Sequence, residues 1–126
     1  MPGGVRCALL QTTGRKTGRA RTVPLVYARD GDDYVFAASN NGSDRPPGWL
    51  LNAGASPEVQ LQDGPLRMLG RARIVPAGDP GYPRLWRLVN EANHGRYDQY
   101  QARTSRQIPV VVITPAPPPP TERAPG

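Results

Sequence analysis

Two Asp-Gly turns constrain this chain more than any other feature. Asp30-Gly31-Asp32 separates a β-rich run at residues 21–29 from another at 34–39, and Asp63-Gly64-Pro65 separates residues 58–62 from 66–75. Asp-Gly pairs supply the left-handed backbone of tight hairpins. Connections this short leave antiparallel pairing as the only option, since a parallel crossover needs a dozen residues or more. Residues 5–12 (VRCALLQT) and 108–113 (IPVVVI) read as further strands, which makes about six. Pro24 lacks a ladder donor and predicts an edge or a bulge, and Gly70 predicts a bulge. Short helices are expected from Pro47 through Trp49, Leu50 and Leu51, from about Pro83 through Leu85, Trp86, Leu88 and Val89, and across Tyr97, Tyr100 and Thr104. The fold class is therefore mainly β (α+β): a small antiparallel barrel or sandwich with helices outside it. The length of 126 residues fits one domain, expected over residues 1–115. Residues 116–126 contain no core-forming run and are expected to be an extended, disordered tail.

Composition limits the chemistry. The net charge is +6 and the isoelectric point about 10.2, which suits an anionic partner of some kind. One Cys (Cys7) and one His (His94) exclude an internal disulfide and leave too few ligands for a zinc site, so no metal is expected. A single His also leaves no Ser-His-Asp set, and no paired carboxylates sit in an apolar setting. No run approaches the roughly 20 apolar residues of a membrane-spanning helix, and the opening residues lack a signal-peptide core, so a cytoplasmic location is expected. If the chain is an enzyme, a cofactor must carry the reactive atom.

Four clusters stand out. Gly14-Arg15-Lys16-Thr17-Gly18 with Arg21 combines permissive backbone, cations and hydroxyls. It reads either as a phosphate cradle or as a solvated basic turn, and its spacing is not that of a Walker A loop. Ala37-Ala38-Ser39-Asn40-Asn41-Gly42 places small residues at a strand end, where a planar ring could lie, or forms an ordinary Asn-Gly turn. Pro47-Gly48-Trp49-Leu50-Leu51-Asn52 offers an aromatic wall and an amide, or simply a core tryptophan. Tyr97 and Tyr100 share a helix face ahead of Thr104, Arg106 and Pro109, lining a pocket or marking the margin of a core. His94, one turn earlier, is a candidate for the pocket rim.

In this order the clusters resemble the deazaflavin-dependent nitroreductase family. The likeness runs through Thr12-Thr13-Gly14-Arg15-Lys16-Thr17-Gly18, Arg21, Pro24-Leu25, Ala37-Ala38-Ser39, Trp49, Asn52, Pro57, the block from Tyr97 to Thr104, and Ile108-Pro109-Val110-Val111-Val112. The resemblance implies a split antiparallel β-barrel and coenzyme F420, whose reduced form gives a hydride to a quinone, enone or nitroaromatic acceptor. It implies that Arg15, Lys16, Thr17 and Arg21 hold the phosphate and acidic tail, and that Thr22, Val23, Pro24, Leu25 and Val26 line the groove. Ala37, Ala38, Ser39 and Asn40 would flank the deazaflavin, with Gly48, Trp49, Leu50, Leu51 and Asn52 as the next wall. Ser39, Tyr97 and Tyr100 would serve the reaction as hydrogen-bond donors and as the substrate-side wall. A homodimer and a peripheral contact with the inner face of the membrane are part of the same expectation. The sequence departs from the family pattern at its early first strand, at Asn40 where Lys is common, and at His94 where an aromatic is common.

Three rivals compete. One is an FMN-binding relative of the same barrel, and another a non-catalytic F420 carrier. The third is a basic nucleic-acid module, which the distance in sequence between the tyrosines and the basic turn disfavours.

Overall fold

The computed structural model describes residues 5–116. The proline-rich stretch at 117–126, expected to be extended, lies outside the described residues. The strands are β1 (Cys7–Thr13), β2 (Ala20–Val26), β3 (Ala28–Asp30), β4 (Asp33–Ala37), β5 (Glu58–Asp63), β6 (Leu66–Val75) and β7 (Val110–Pro115). The helices are α1 (Gly48–Ala55), α2 (Tyr82–Ala92) and α3 (Arg96–Ala102). All strand pairs are antiparallel, in the order β2-β1-β5-β6-β7-β4-β3.

The described residues form seven strands rather than about six because the run at 21–29 divides at Tyr27. β2 pairs with β1 at one edge of the sheet, and β3 pairs with β4 at the other. One residue joins the two edges. Consecutive Cα atoms are about 3.8 Å apart, so Val26 and Ala28 lie within about 7 Å of each other. The edges therefore meet at this end, and the sheet must curl into a barrel.

Side-chain alternation fills both sides of the curl. Leu10, Tyr34, Phe36, Val59, Leu61, Val111 and Ile113 point inward to one core. Val35, Ala37, Val110 and Val112 point outward to a second core, beneath Leu85 and Val89 of α2 and Tyr97 of α3. The uninterrupted Val110-Val111-Val112-Ile113 run is thus a strand buried on both faces.

Pro24 lies on an edge strand, as its missing N–H requires, with continuous register to β1. Gly70 is not a bulge, because its register to β5 and β7 is unbroken. A Cβ there would stand 2.7 Å from Ile113 Cγ2, so the glycine makes room for a core side chain.

The closed end carries a polar knot. The Tyr27 hydroxyl lies 3.1 Å from both carboxylate oxygens of Asp63, and the Tyr34 hydroxyl donates to Asp63 Oδ2 at 2.7 Å. The two rings meet edge to face at 4.9 Å. Desolvation, helped by the Asp63 hydrogen bond, pushes the Tyr34 phenol up to about 12.

Two expectations follow from this construction. The folded state holds the Tyr34 proton more tightly than the unfolded chain, whose phenols titrate near 10, so this stabilisation is complete below about pH 10 and lost as pH rises toward 12. Thermal melts across that interval should show a falling midpoint, and a flat profile would contradict the assignment. Gly70→Ala should cost about 1–3 kcal/mol in urea unfolding, because Ile113 has to shift.

Candidate functional site

Beyond the joint at Tyr27 the two edges are not paired with each other. β3 pairs with only Asp33, Tyr34 and Val35 of β4, so the end of β4 runs past β3. Facing it across a gap is the second half of β2. Pro24, Leu25 and Val26 line one side of this gap, and Ala37, Ser39 and Tyr97 the other, around a cavity of about 440 Å³. It continues through Val23, Asn40, Pro47 and Trp49 into a second lobe of about 530 Å³ below Arg15, Lys16, Thr17 and Arg21, which Thr22, Gly48 and Asn52 also line. The fold gathers all four sequence clusters around one groove.

The lobes differ in chemistry. The basic loop is folded by its own backbone: Gly14 N–H donates to Arg19 O and Gly18 N–H to Gly14 O, each at 2.7 Å. Gly18 is left-handed (φ +73°), which its position before Arg19 exploits. Asn52 anchors the loop from α1. Its Oδ1 accepts from Arg15 N–H (3.1 Å) and Arg15 Nη1 (2.9 Å), and its Nδ2 donates to Thr12 Oγ1 (3.2 Å). Asn52 thus borders the groove and ties the loop to α1 and β1. Among the described residues the ion pairs are Arg71–Glu58 and Arg84–Asp30, so Arg15, Lys16 and Arg21 keep their charge for an anion.

The inner lobe is walled by aromatics. Trp49 is buried and meets Phe36 edge to face at 6.4 Å. Tyr82, Trp86, Tyr97 and Tyr100 form a chain of rings with centroids 5.7, 6.2 and 6.0 Å apart. Tyr97 is buried, and desolvation, followed by neighbouring Tyr100, pushes its phenol up to about 12. Like any phenol it is protonated at neutral pH and can donate a hydrogen bond. Ser39 is buried at the start of a strained turn in which Asn40, Asn41 and Gly42 have φ of +46°, +57° and +81°.

Some expected residues lie elsewhere. Leu50 is in the barrel core, and Leu51 is exposed on α1 without lining the groove. Ala38 is fully buried behind it. His94 is not at the rim: it borders a separate depression with Arg6, Arg29 and Glu91. Asn93, buried, and Arg96 do line the inner lobe, although no motif marked them. Arg106 was noticed only as part of the fourth cluster, yet its guanidinium donates to the carbonyls of Ala38, Ser39 and Ser43. A lone Arg among fifteen carries no sequence signal for that role.

Comparison with known proteins agrees with this geometry. The profile of the F420H(2)-dependent quinone reductase family matches residues 1–115. The chain is 52% identical over 114 residues to an F420H(2)-dependent quinone reductase of Mycobacterium tuberculosis (strain H37Rv), covering 90% of this chain and 76% of that one. A solved F420-H2 dependent reductase superposes with a TM-score of 0.75 at 34% identity, covering 86% of this chain and 93% of the other. Another solved structure, described as a domain-swapped dimer, gives 0.76 at 34% identity, with 86% and 79% coverage.

Asn52→Ala should free Arg15 and leave Thr12 Oγ1 without its donor. We expect a stability loss of about 1–3 kcal/mol and faster hydrogen exchange at the Arg15 amide. Unchanged exchange at Arg15 would remove the anchoring role.

Proposed function

This chain belongs to the F420H(2)-dependent quinone reductase family, and from that premise we propose that the groove binds reduced F420 and presents it to a quinone. The observation that carries this reading is the two-part groove: an unpaired cationic loop opens directly into a slot that Trp49, Tyr97 and Tyr100 wall together with the neutral polar groups of Ser39, Asn40 and Asn93. The donor set fits a cofactor with an acidic tail and a flat ring. Arg15, Lys16, Thr17 and Arg21 would hold the phosphate and acidic tail, with Arg gripping oxyanions bidentately. Val23, Pro24, Leu25 and Val26 would support the ring from β2, opposite Ala37 and Ser39.

When bound, reduced F420 supplies a hydride. The chain's own residues supply alignment, water exclusion and hydrogen bonds. Trp49 and the β2 side chains would exclude water from the faces of the bound ring. The Tyr97 phenol, held protonated, would donate to the oxygen on which charge develops as a quinone is reduced, and Ser39 is the second donor. Tyr100 would bound the acceptor side. Flat, electron-poor nitroaromatics suit the same slot. A homodimer belongs to this reading, supported by the neighbour described as a domain-swapped dimer. So does peripheral contact with an anionic membrane, supported by exposed Leu66 and Leu69 beside Arg67. No helix among the described residues is long and apolar enough to cross a membrane.

Fluorescence titration with oxidised F420, with FMN alongside, tests the reading. F420 should bind the more tightly, and Tyr97→Phe should lower quinone turnover by about tenfold or more with cofactor affinity retained. Preference for FMN would overturn the cofactor assignment, and undiminished turnover in Tyr97→Phe would remove that donor.

A further inference from the structure

We infer that Arg106 is a positioning residue that aims the backbone N–H groups of Ser39 and Asn40 into the groove. The identity of the ligand rests on the F420 reading, whereas the geometry stands without it.

Arg106 follows α3 and precedes β7. Each of its three guanidinium nitrogens reaches a different carbonyl: Nε to Ser43 O (3.2 Å), Nη1 to Ala38 O (3.2 Å) and Nη2 to Ser39 O (3.0 Å). In a trans peptide the C=O and N–H point in opposite directions. Drawing the Ala38 and Ser39 carbonyls toward Arg106 therefore turns the N–H groups of Ser39 and Asn40 away from it. Ser39 and Asn40 both line the groove, as does Asn41. Among the described residues the N–H groups of these three find no protein acceptor.

The turn needs such a clamp. Three successive left-handed residues, two of them not glycine, are disfavoured for an L-chain. The 3-10 hydrogen bonds of the turn, from Gly42 N–H to Ser39 O and Ser43 N–H to Asn40 O, are only two. Gly42 fits closely under α3, where a Cβ would stand 2.7 Å from Tyr100 O.

Arg106 is itself fixed. Its carbonyl accepts from Gln101 Nε2 at 2.7 Å, its N–H donates to Thr104 Oγ1 at 3.2 Å, and that hydroxyl donates to Asp44 at 2.6 Å. Among the described residues no carboxylate pairs with Arg106. Its charge therefore sits behind the two peptide units and polarises them, strengthening the N–H donors on the far side. An electron-rich ring edge, or an anion, is what such donors favour. Lysine would keep the charge but not the grip, because one ammonium on a flexible stem does not hold three fixed carbonyls.

The test uses Arg106→Gln and Arg106→Lys in the full chain. The first readout needs no cofactor: amide chemical shifts and hydrogen exchange at Ser39, Asn40 and Asn41. The second is F420 affinity by fluorescence, with the visible absorption of the bound cofactor. Arg106→Gln should alter the three amides, weaken F420 binding by about tenfold or more and shift the bound absorption, and Arg106→Lys should recover part of the affinity. Unchanged amides and an unchanged bound spectrum in folded Arg106→Gln overturn the inference. If that variant does not fold, Arg106→Lys decides, since wild-type amides there would mean that the three-point grip is dispensable. If the native protein binds no F420, the functional reading fails while the amide result still decides the positioning role.

Discussion

The change of partner at Tyr27 governs this structure. A single residue carries the chain from one edge of the sheet to the other, so the barrel is closed there by covalent connection and by the hydroxyls of Tyr27 and Tyr34 on Asp63. Beyond that joint the two edges make no ladder with each other. They separate between β2 and the end of β4, and the groove is that separation. Its walls are the sides of edge strands and a turn, which makes backbone donors as available to a ligand as side chains.

The two lobes divide the work of recognition. Charge is concentrated in the glycine-flanked loop, where the Asn52 amide holds Arg15 and Thr12. The inner lobe offers neutral donors instead. The Tyr97 phenol, like the Ser39 hydroxyl, is neutral at ordinary pH, and burial only pushes its titration further up. On the proposed reading, a charged tail would be attracted over distance while the ring meets neutral donors. Electrostatic steering acts at the mouth, and fixed donors act within.

Much of this was legible in the residues. The Asp-Gly turns between β-rich runs required hairpins, and each of the four clusters is continuous in the sequence. What sequence could not resolve was direction. Leu50 and Leu51 belong to a helical run in which only rotation about the helix axis decides what faces the groove; Leu50 turned to the core and Leu51 to solvent. Gly70 read as a bulge because a strand glycine usually marks either a bulge or a close approach, and the distinction depends on Ile113, forty-three positions away. His94 read as a rim residue from its spacing to Tyr97, but the left-handed backbone at His94 and Gly95 swings the chain between α2 and α3. Local patterns identify the elements, and long-range contacts decide which way each side chain faces.

The same distinction explains why the role of Arg15 is legible in the sequence and that of Arg106 is not. Arg15 sits among glycines and threonines whose combination is uncommon, so its neighbours in sequence are also its partners in function. The partners of Arg106 are carbonyls more than sixty residues earlier, and carbonyls are present at every position of every chain. An interaction between a side chain and distant backbone leaves no compositional trace. Yet it bears on the part of the groove where geometry is most exacting, because a strained turn of Asn40, Asn41 and Gly42 would relax without support. A site built from backbone donors is read poorly from sequence, since its specificity lies in what holds the backbone still.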